Sequence, residues 1–285
     1  MIVVTSATGQ LGRLVIEQLL ARVPAEQIVA AVRSPEKATD LSAKGVQVRH
    51  ADYSQPATLD SAFAGADKVL LISSSEIGQR FSQHKAVIDA AKRSGVKLLA
   101  YTSVLHAEAS TLGLAKEHVE TEDYLRASGL PFALLRNGWY TENYTAGVPG
   151  ALAHGAVMGC ADDGLISSAS RLDYAEAAAV LLTSSEDQSG RVYELAGDQS
   201  YTLAAFAAEL SKQAGKTLPY VNLPQAEFEA ALIQAGLPDF VARLLADSDA
   251  AAAKGALFDD SRQLSKLIGR PATPLSATIA EAVRG

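Results

Sequence analysis

Short unbroken apolar runs alternate with amphipathic stretches over the first half of this chain. Residues 2–5 (IVVT) form the first run, and after a turn the apolar positions recur at helical spacing from Gly12 to about Arg22. Residues 27–33 (QIVAAVR) make the second run. Ser34 and Pro35 then read as a helix cap with proline at the first helical position, and that helix runs to Lys44, where Gly45 supplies a left-handed C-cap. Residues 46–50 are a third strand, followed by a helix over 56–64. KVLLI (68–72) is a fourth, and its continuous apolar character is that of a parallel strand covered on both faces. A long helix over 79–94 ends at Gly95, VKLLAYT (96–102) is the fifth strand, and a helix over about 114–128 leads through Gly129 to PFALLR (131–136), the sixth. Strict alternation of strands and helices predicts a parallel sheet with right-handed crossovers, the doubly wound α/β arrangement of a Rossmann-type fold.

After Arg136 the rhythm loosens. Residues 137–165 are rich in Gly, Asn and Tyr and read as loops and short elements; 173–184 is an alanine-rich helix and RVYEL (191–195) a late strand. Segments 202–214, 224–235, 238–246 and 275–283 have helical patterns joined by Pro/Gly turns. The expected organisation is a nucleotide-binding domain over 1–136 plus about 166–195, and a smaller, mainly helical substrate lobe over 137–165 and 196–285 that covers the strand ends.

Composition narrows the field. At 285 residues the chain fits one large α/β unit or a nucleotide domain with an appendage. No run reaches the roughly 18 apolar residues of a membrane span, and Met1 leads directly into a strand rather than a signal peptide. A net charge of −7, from 25 basic and 32 acidic side chains, argues against a nucleic-acid module, whose footprint is a basic face. The single cysteine, Cys160, excludes an internal disulfide and a cysteine-based zinc site. The histidines show no HExxH spacing and there is no GxSxG elbow, so neither a metal site nor serine acyl transfer is expected. The expected address is the cytoplasm.

The turn after the first strand carries the clearest chemistry: Ser6, Ala7, Thr8, Gly9, Gln10, Leu11, Gly12. A strand before it and a helix after it make it a pyrophosphate-binding turn, in which phosphate oxygens approach Gly9 and meet the free N–H groups and positive dipole end of the helix. Gly12 lets the helix pack tightly on the strand. Ser6 stands where the first glycine of such turns makes the tight bend, either with a negative φ or at a modest strain. The second strand ends in Arg33, with Ser34 beside it and Lys37 one turn on, where an NAD enzyme places Asp or Glu for the ribose 2′-hydroxyl. A guanidinium there suits a 2′-phosphate, so NADPH is the expected cofactor. Asp52 either meets the adenine amine or caps a turn.

These residues, with YTSVLHAE (101–108), LGLAKEHVETED (112–123), LLRNGWYTENY (134–144), SSSEIGQR (73–80) and LADSDAAAAKGALFDDS (245–261), resemble the NmrA-like, atypical short-chain dehydrogenase/reductases over essentially the whole chain. Within that family the likeness is to the bacterial NAD(P)H:quinone oxidoreductases of type 2 and the triphenylmethane reductases. The resemblance implies NADPH held by the first turn, by Arg33, by Ser73, Ser74 and Ser75, and by Asn137, Gly138, Trp139 and Tyr140. It implies hydride transfer to a quinone-type acceptor; NADP(H)-sensing regulation without turnover and reduction of triphenylmethane dyes are the alternatives.

A quinone is flat and electron-poor. Trp139, Tyr140 and Tyr144 are candidates for an aromatic wall and Asn143 for a donor to a quinone oxygen, with ordinary core packing the competing reading of each ring. Ordinary short-chain dehydrogenases pair a Tyr with a Lys four positions later. Here Tyr101 is followed by Leu105, Tyr140 by Tyr144 and Tyr174 by Ala178, so that acid/base pair is absent. His106, beyond the fifth strand, and Tyr140 are the candidate proton donors. Lys116 and His118 start a helix with Glu117, Glu120 and Glu122, which reads as a solvated charged face. An oligomer is compatible with the helical lobe, without any sequence mark of one.

Overall fold

The apolar runs resolve into one seven-stranded sheet in the order β3-β2-β1-β4-β5-β6-β8. In the computed structural model, which describes residues 1–284, the strands are β1 (Ile2–Thr5), β2 (Ile28–Val32), β3 (Gln47–His50), β4 (Lys68–Leu71), β5 (Leu98–Val104), β6 (Phe132–Asn137), β7 (Val157–Gly159), β8 (Arg191–Leu195) and β9 (Tyr220–Asn222). Every pair from β3 through β6 is parallel. The helices of the alternating part are α1 (Gln10–Leu20), α2 (Thr39–Ala43), α3 (Pro56–Ala62), α4 (Arg80–Arg93) and α5 (Ala115–Ser128). Then come α6 (Glu142–Thr145), α7 (Val148–His154), α8 (Arg171–Thr183), α9 (Leu203–Ala214), α10 (Gln225–Gln234), α11 (Asp239–Ala252), α12 (Gln263–Ile268) and α13 (Leu275–Arg284).

Burial explains why β1, β2 and β4 lack polar alternation: both faces of the sheet are covered. On one face Val3, Val29, Val69, Leu71, Leu99, Tyr101 and Leu134 pack with Leu59, Phe63, Val87, Ile88 and Leu125 from the helices after β3, β4 and β5. On the other, α1 and α8 pack together, and Arg22 reaches Glu176 at 3.3 Å. Strand order reverses between β1 and β4, which opens a crevice at the carboxyl ends of the strands.

The chain divides into two units. The first comprises Met1–Ala107, Lys116–Asn137 and Arg171–Tyr193; the second comprises Glu108–Ala115, Gly138–Ser170 and Glu194–Gly285. Within the second, β7 and β9 form a two-stranded parallel sheet beside helices. Among the described residues no helix is long and apolar enough to cross a membrane.

Two local expectations need correction. The helix expected from Pro35 to Lys44 is a 3₁₀ turn over Pro35–Ala38 followed by a short α2, and Ser34 makes no side-chain cap bond. Gly45 nevertheless ends it at φ 84°, in the left-handed region. The helix expected over 238–246 is also longer than its apolar pattern: α11 runs from Asp239 to Ala252.

Candidate functional site

Ser6, Thr8, Gly9, Gln10, Leu11 and Gly12 come together with Arg33, Ser73, Ser74 and Ser75 around a cavity of about 350 Å³ at the crevice between β1 and β4. Ala7, fully buried, anchors the same turn. Gly9 caps α1 with no side-chain hydrogen bond, and no acidic residue stands in the helix's first turn. Its amides and dipole therefore face an anion without competition. A Cβ on Gly12 would lie 2.4 Å from the Ser6 carbonyl oxygen and 2.7 Å from Ala7 Cα, so only glycine permits this contact between helix and turn.

Ser6 takes the strained option, with φ at 49°. Its hydroxyl lies 3.2 Å from the Tyr53 hydroxyl. Tyr53 donates to Thr5 Oγ1 at 2.5 Å, and Thr5 in turn donates to the Leu70 carbonyl at 3.0 Å. With those protons committed, the Ser6 hydroxyl donates to Tyr53. Burial pushes the Tyr53 phenol up to about 12, against its hydrogen bonds with Ser6 and Thr5, so it stays neutral on the cavity wall.

Arg33 also lines the cavity, and its Nη1 donates to Glu76 Oε1 at 3.0 Å. Lys37 is not part of the lining; its carbonyl accepts from Arg13 at 2.8 Å. Asp52 lines the cavity and also closes its own turn, accepting from the Ser54 amide at 2.9 Å and from Gln55 Nε2 at 3.1 Å.

The serine loop after β4 is held by residues that the sequence reading passed over. The Ser74 amide donates to His84 Nε2 at 2.9 Å, so the ring proton sits on Nδ1 and points to Thr121 Oγ1 at 3.0 Å. Arg80 Nε donates to the Ser74 carbonyl at 2.7 Å, and the Ser74 hydroxyl donates to Gln83 Oε1 at 2.5 Å. Burial, reinforced by the Arg80 charge, drops the His84 imidazole to about 3, which keeps it a neutral acceptor. Arg80, Gln83 and His84 share one face of α4 at helical spacing. Polar residues on an otherwise apolar stripe were the available signal.

The face of α5 expected to be solvated is instead partly core. His118 Nδ1 meets the Tyr101 hydroxyl at 2.6 Å, and Glu122 accepts from Ser103 at 2.6 Å and from Arg136 Nε at 2.9 Å, all buried. A guanidinium on β6 compensates the carboxylate and permits its burial.

His106, just past β5, is part-buried with φ 51°, another non-glycine residue in the left-handed region. Asn137 ends β6; its carbonyl accepts from the Leu105 amide at 3.0 Å, whereas its side-chain oxygen is buried with no hydrogen-bond partner. Such an acceptor suits a ligand donor. In the second unit, Gly138 donates to the Leu195 carbonyl at 2.7 Å. Trp139 and Thr141 bond the backbone of Ala169 around a parallel bridge at Tyr140. The Asn143 amide bonds the Tyr140 carbonyl at 3.0 Å. Tyr144 donates to Asp249 Oδ1 at 3.1 Å and tilts against Phe206. Burial raises the Asp249 carboxyl to about 6, against the Cys160 amide and the Tyr144 hydroxyl.

A crevice at the strand-order reversal, an uncapped helix start, a glycine-enforced turn and an arginine at the end of β2 define a Rossmann-type dinucleotide-binding protein. The chain belongs to the NAD(P)H-binding family, which it matches over residues 6–185. It is 58% identical to quinone oxidoreductase 2 of Escherichia coli (strain K12) over 279 residues, 98% of this chain and 97% of that one. Its fold superposes on the crystal structure of the Escherichia coli NADPH-dependent quinone oxidoreductase complexed with NADPH with a TM-score of 0.96, at 58% identity and 99% coverage of each chain. The Citrobacter sp. triphenylmethane reductase complexed with NADP(H) superposes equally well, TM-score 0.96, at 40% identity over 99% of this chain and 100% of that one.

Proposed function

We propose that the protein is an NADPH-dependent oxidoreductase that transfers hydride to a quinone-type acceptor. The observation that carries this reading is the 58% identity, over 98% of the chain, to quinone oxidoreductase 2. The cavity agrees with it. The amides at the start of α1 hold the pyrophosphate, Arg33 takes the 2′-phosphate, and Ser73, Ser74 and Ser75 wall the crevice. Asn137 Oδ1 offers its buried acceptor to the cofactor, beside Gly138, Trp139 and Tyr140 in the chain.

The bound nicotinamide supplies the hydride. The chain orients the acceptor through Trp139, Asn143 and Tyr144, and His106 or Tyr140 directs a proton to the reduced oxygen. Hydride plus one proton takes a quinone to its hydroquinone, and the hydroquinone anion formed on the way is a weak base beside an alkoxide. A Tyr/Lys pair is therefore dispensable. In this account residues 137–165 and 196–285 act as the substrate lobe, and the enzyme works in the cytoplasm.

The test is NADPH oxidation, followed by the absorbance of the reduced nicotinamide, against a panel of quinones. Quinone-dependent turnover is expected. Tight NADPH binding without turnover overturns the proposal and makes the protein a nucleotide sensor. The whole-chain likeness to triphenylmethane reductase favours a second acceptor class, and bleaching of those dyes in the same assay tests it.

A further inference from the structure

The cavity wall carries a contact that an NADPH site alone does not require. Arg33, placed to take a 2′-phosphate, is engaged here by Glu76, which lines the same cavity. The carboxylate is held in place. Its second oxygen accepts from Gln83 Nε2 at 2.7 Å, its own amide donates to Ser74 Oγ at 3.1 Å, and Gln83 is buried.

We propose that Glu76 is a specificity-determining residue that opposes Arg33, drawing the site toward NADH and limiting its preference for NADPH. The inference rests on the reading that Arg33 faces the 2′ position of the adenosine ribose. The side chains of the pair are 69% and 47% exposed, so water and salt screen it and a dianionic phosphate competes for the guanidinium. Once the phosphate has the guanidinium, the carboxylate, still held by Gln83, faces a group of its own sign. A 2′-hydroxyl meets the opposite situation, because it donates to Glu76 Oε1. That is the recognition an acidic residue at the end of β2 provides in NAD enzymes, supplied here from the loop after β4. Both determinants share one wall, so both reduced nicotinamides bind and the balance is set by Glu76.

The experiment is calorimetric binding of NADPH, NADH, 2′-AMP and 5′-AMP to the wild type, Glu76→Gln and Arg33→Ala. Glutamine keeps the length of the side chain and an acceptor for Gln83. Glu76→Gln is expected to tighten NADPH and 2′-AMP by about threefold to fivefold, the span of a screened ion contact, and to weaken NADH by a similar factor. An unchanged or narrowed NADPH-to-NADH ratio overturns the role of Glu76. Arg33→Ala separates the two claims: if it does not discriminate between the nucleotides, the 2′-phosphate reading itself fails. If it does discriminate while Glu76→Gln does not, only the present inference fails.

Discussion

Replacing His84 by Gln tests whether the serine loop is anchored by a neutral imidazole. Folding lowers this histidine from 6.5 to about 3 through burial and the Arg80 charge. The unfolded chain therefore takes up a proton below pH 6.5 that the native state refuses. A depressed pKa on a base means that stability is full above the unfolded value and is lost as pH falls toward the folded one. Integrating that linkage from pH 7 to pH 5 gives a loss of about 2 kcal/mol for His84. His118, whose pKa burial also lowers well below its ordinary value, adds a loss of the same sign. Urea unfolding of wild type and His84→Gln at both pH values isolates the first contribution. The variant is expected to lose about 2 kcal/mol less than wild type over this interval. Equal losses would show that His84 titrates in the native protein and that the Ser74 amide has another acceptor.

Two further substitutions probe the turn after β1. Gly12→Ala drives a methyl into the Ser6 carbonyl and Ala7 Cα, backbone atoms that cannot swing aside; a stability loss of about 1–3 kcal/mol and weaker NADPH binding are expected by denaturation and calorimetry, and an unperturbed turn would refute the packing argument. Ser6→Gly relieves the positive φ, worth roughly 1 kcal/mol, against a similar entropic cost of the added glycine. Stability is expected to move little while cofactor binding holds or tightens, and a large affinity loss would show that the Ser6 hydroxyl contacts the nucleotide.

The parallel strands were legible because burial on both faces leaves unbroken apolar runs, and the cofactor turn because glycine is required where backbone meets backbone. Side-chain networks were not. Glu122 looks solvated on α5 because its partner Arg136 lies on another element, and pairing across elements leaves no local pattern. The end of α11 was misjudged for a related reason. The helix expected over 238–246 stops short of Ser248 and Asp249, both of which are buried, with Asp249 occupied by the Cys160 amide and Tyr144. Strand β9 spans three residues and exists through its pairing with β7, more than fifty positions away. Tyr53, Glu76, Gln83 and His84 were missed in the same way: each acts on the cavity through a partner distant in sequence or on a neighbouring turn.

The most direct test of the account is the affinity of Arg33→Ala for the two reduced nicotinamides, measured by calorimetry on the purified protein. Removing a charge-assisted contact to the 2′-phosphate is expected to weaken NADPH by about tenfold or more and to leave NADH nearly unchanged. Equal losses for both, or no heat with either nucleotide in the wild type, would contradict it.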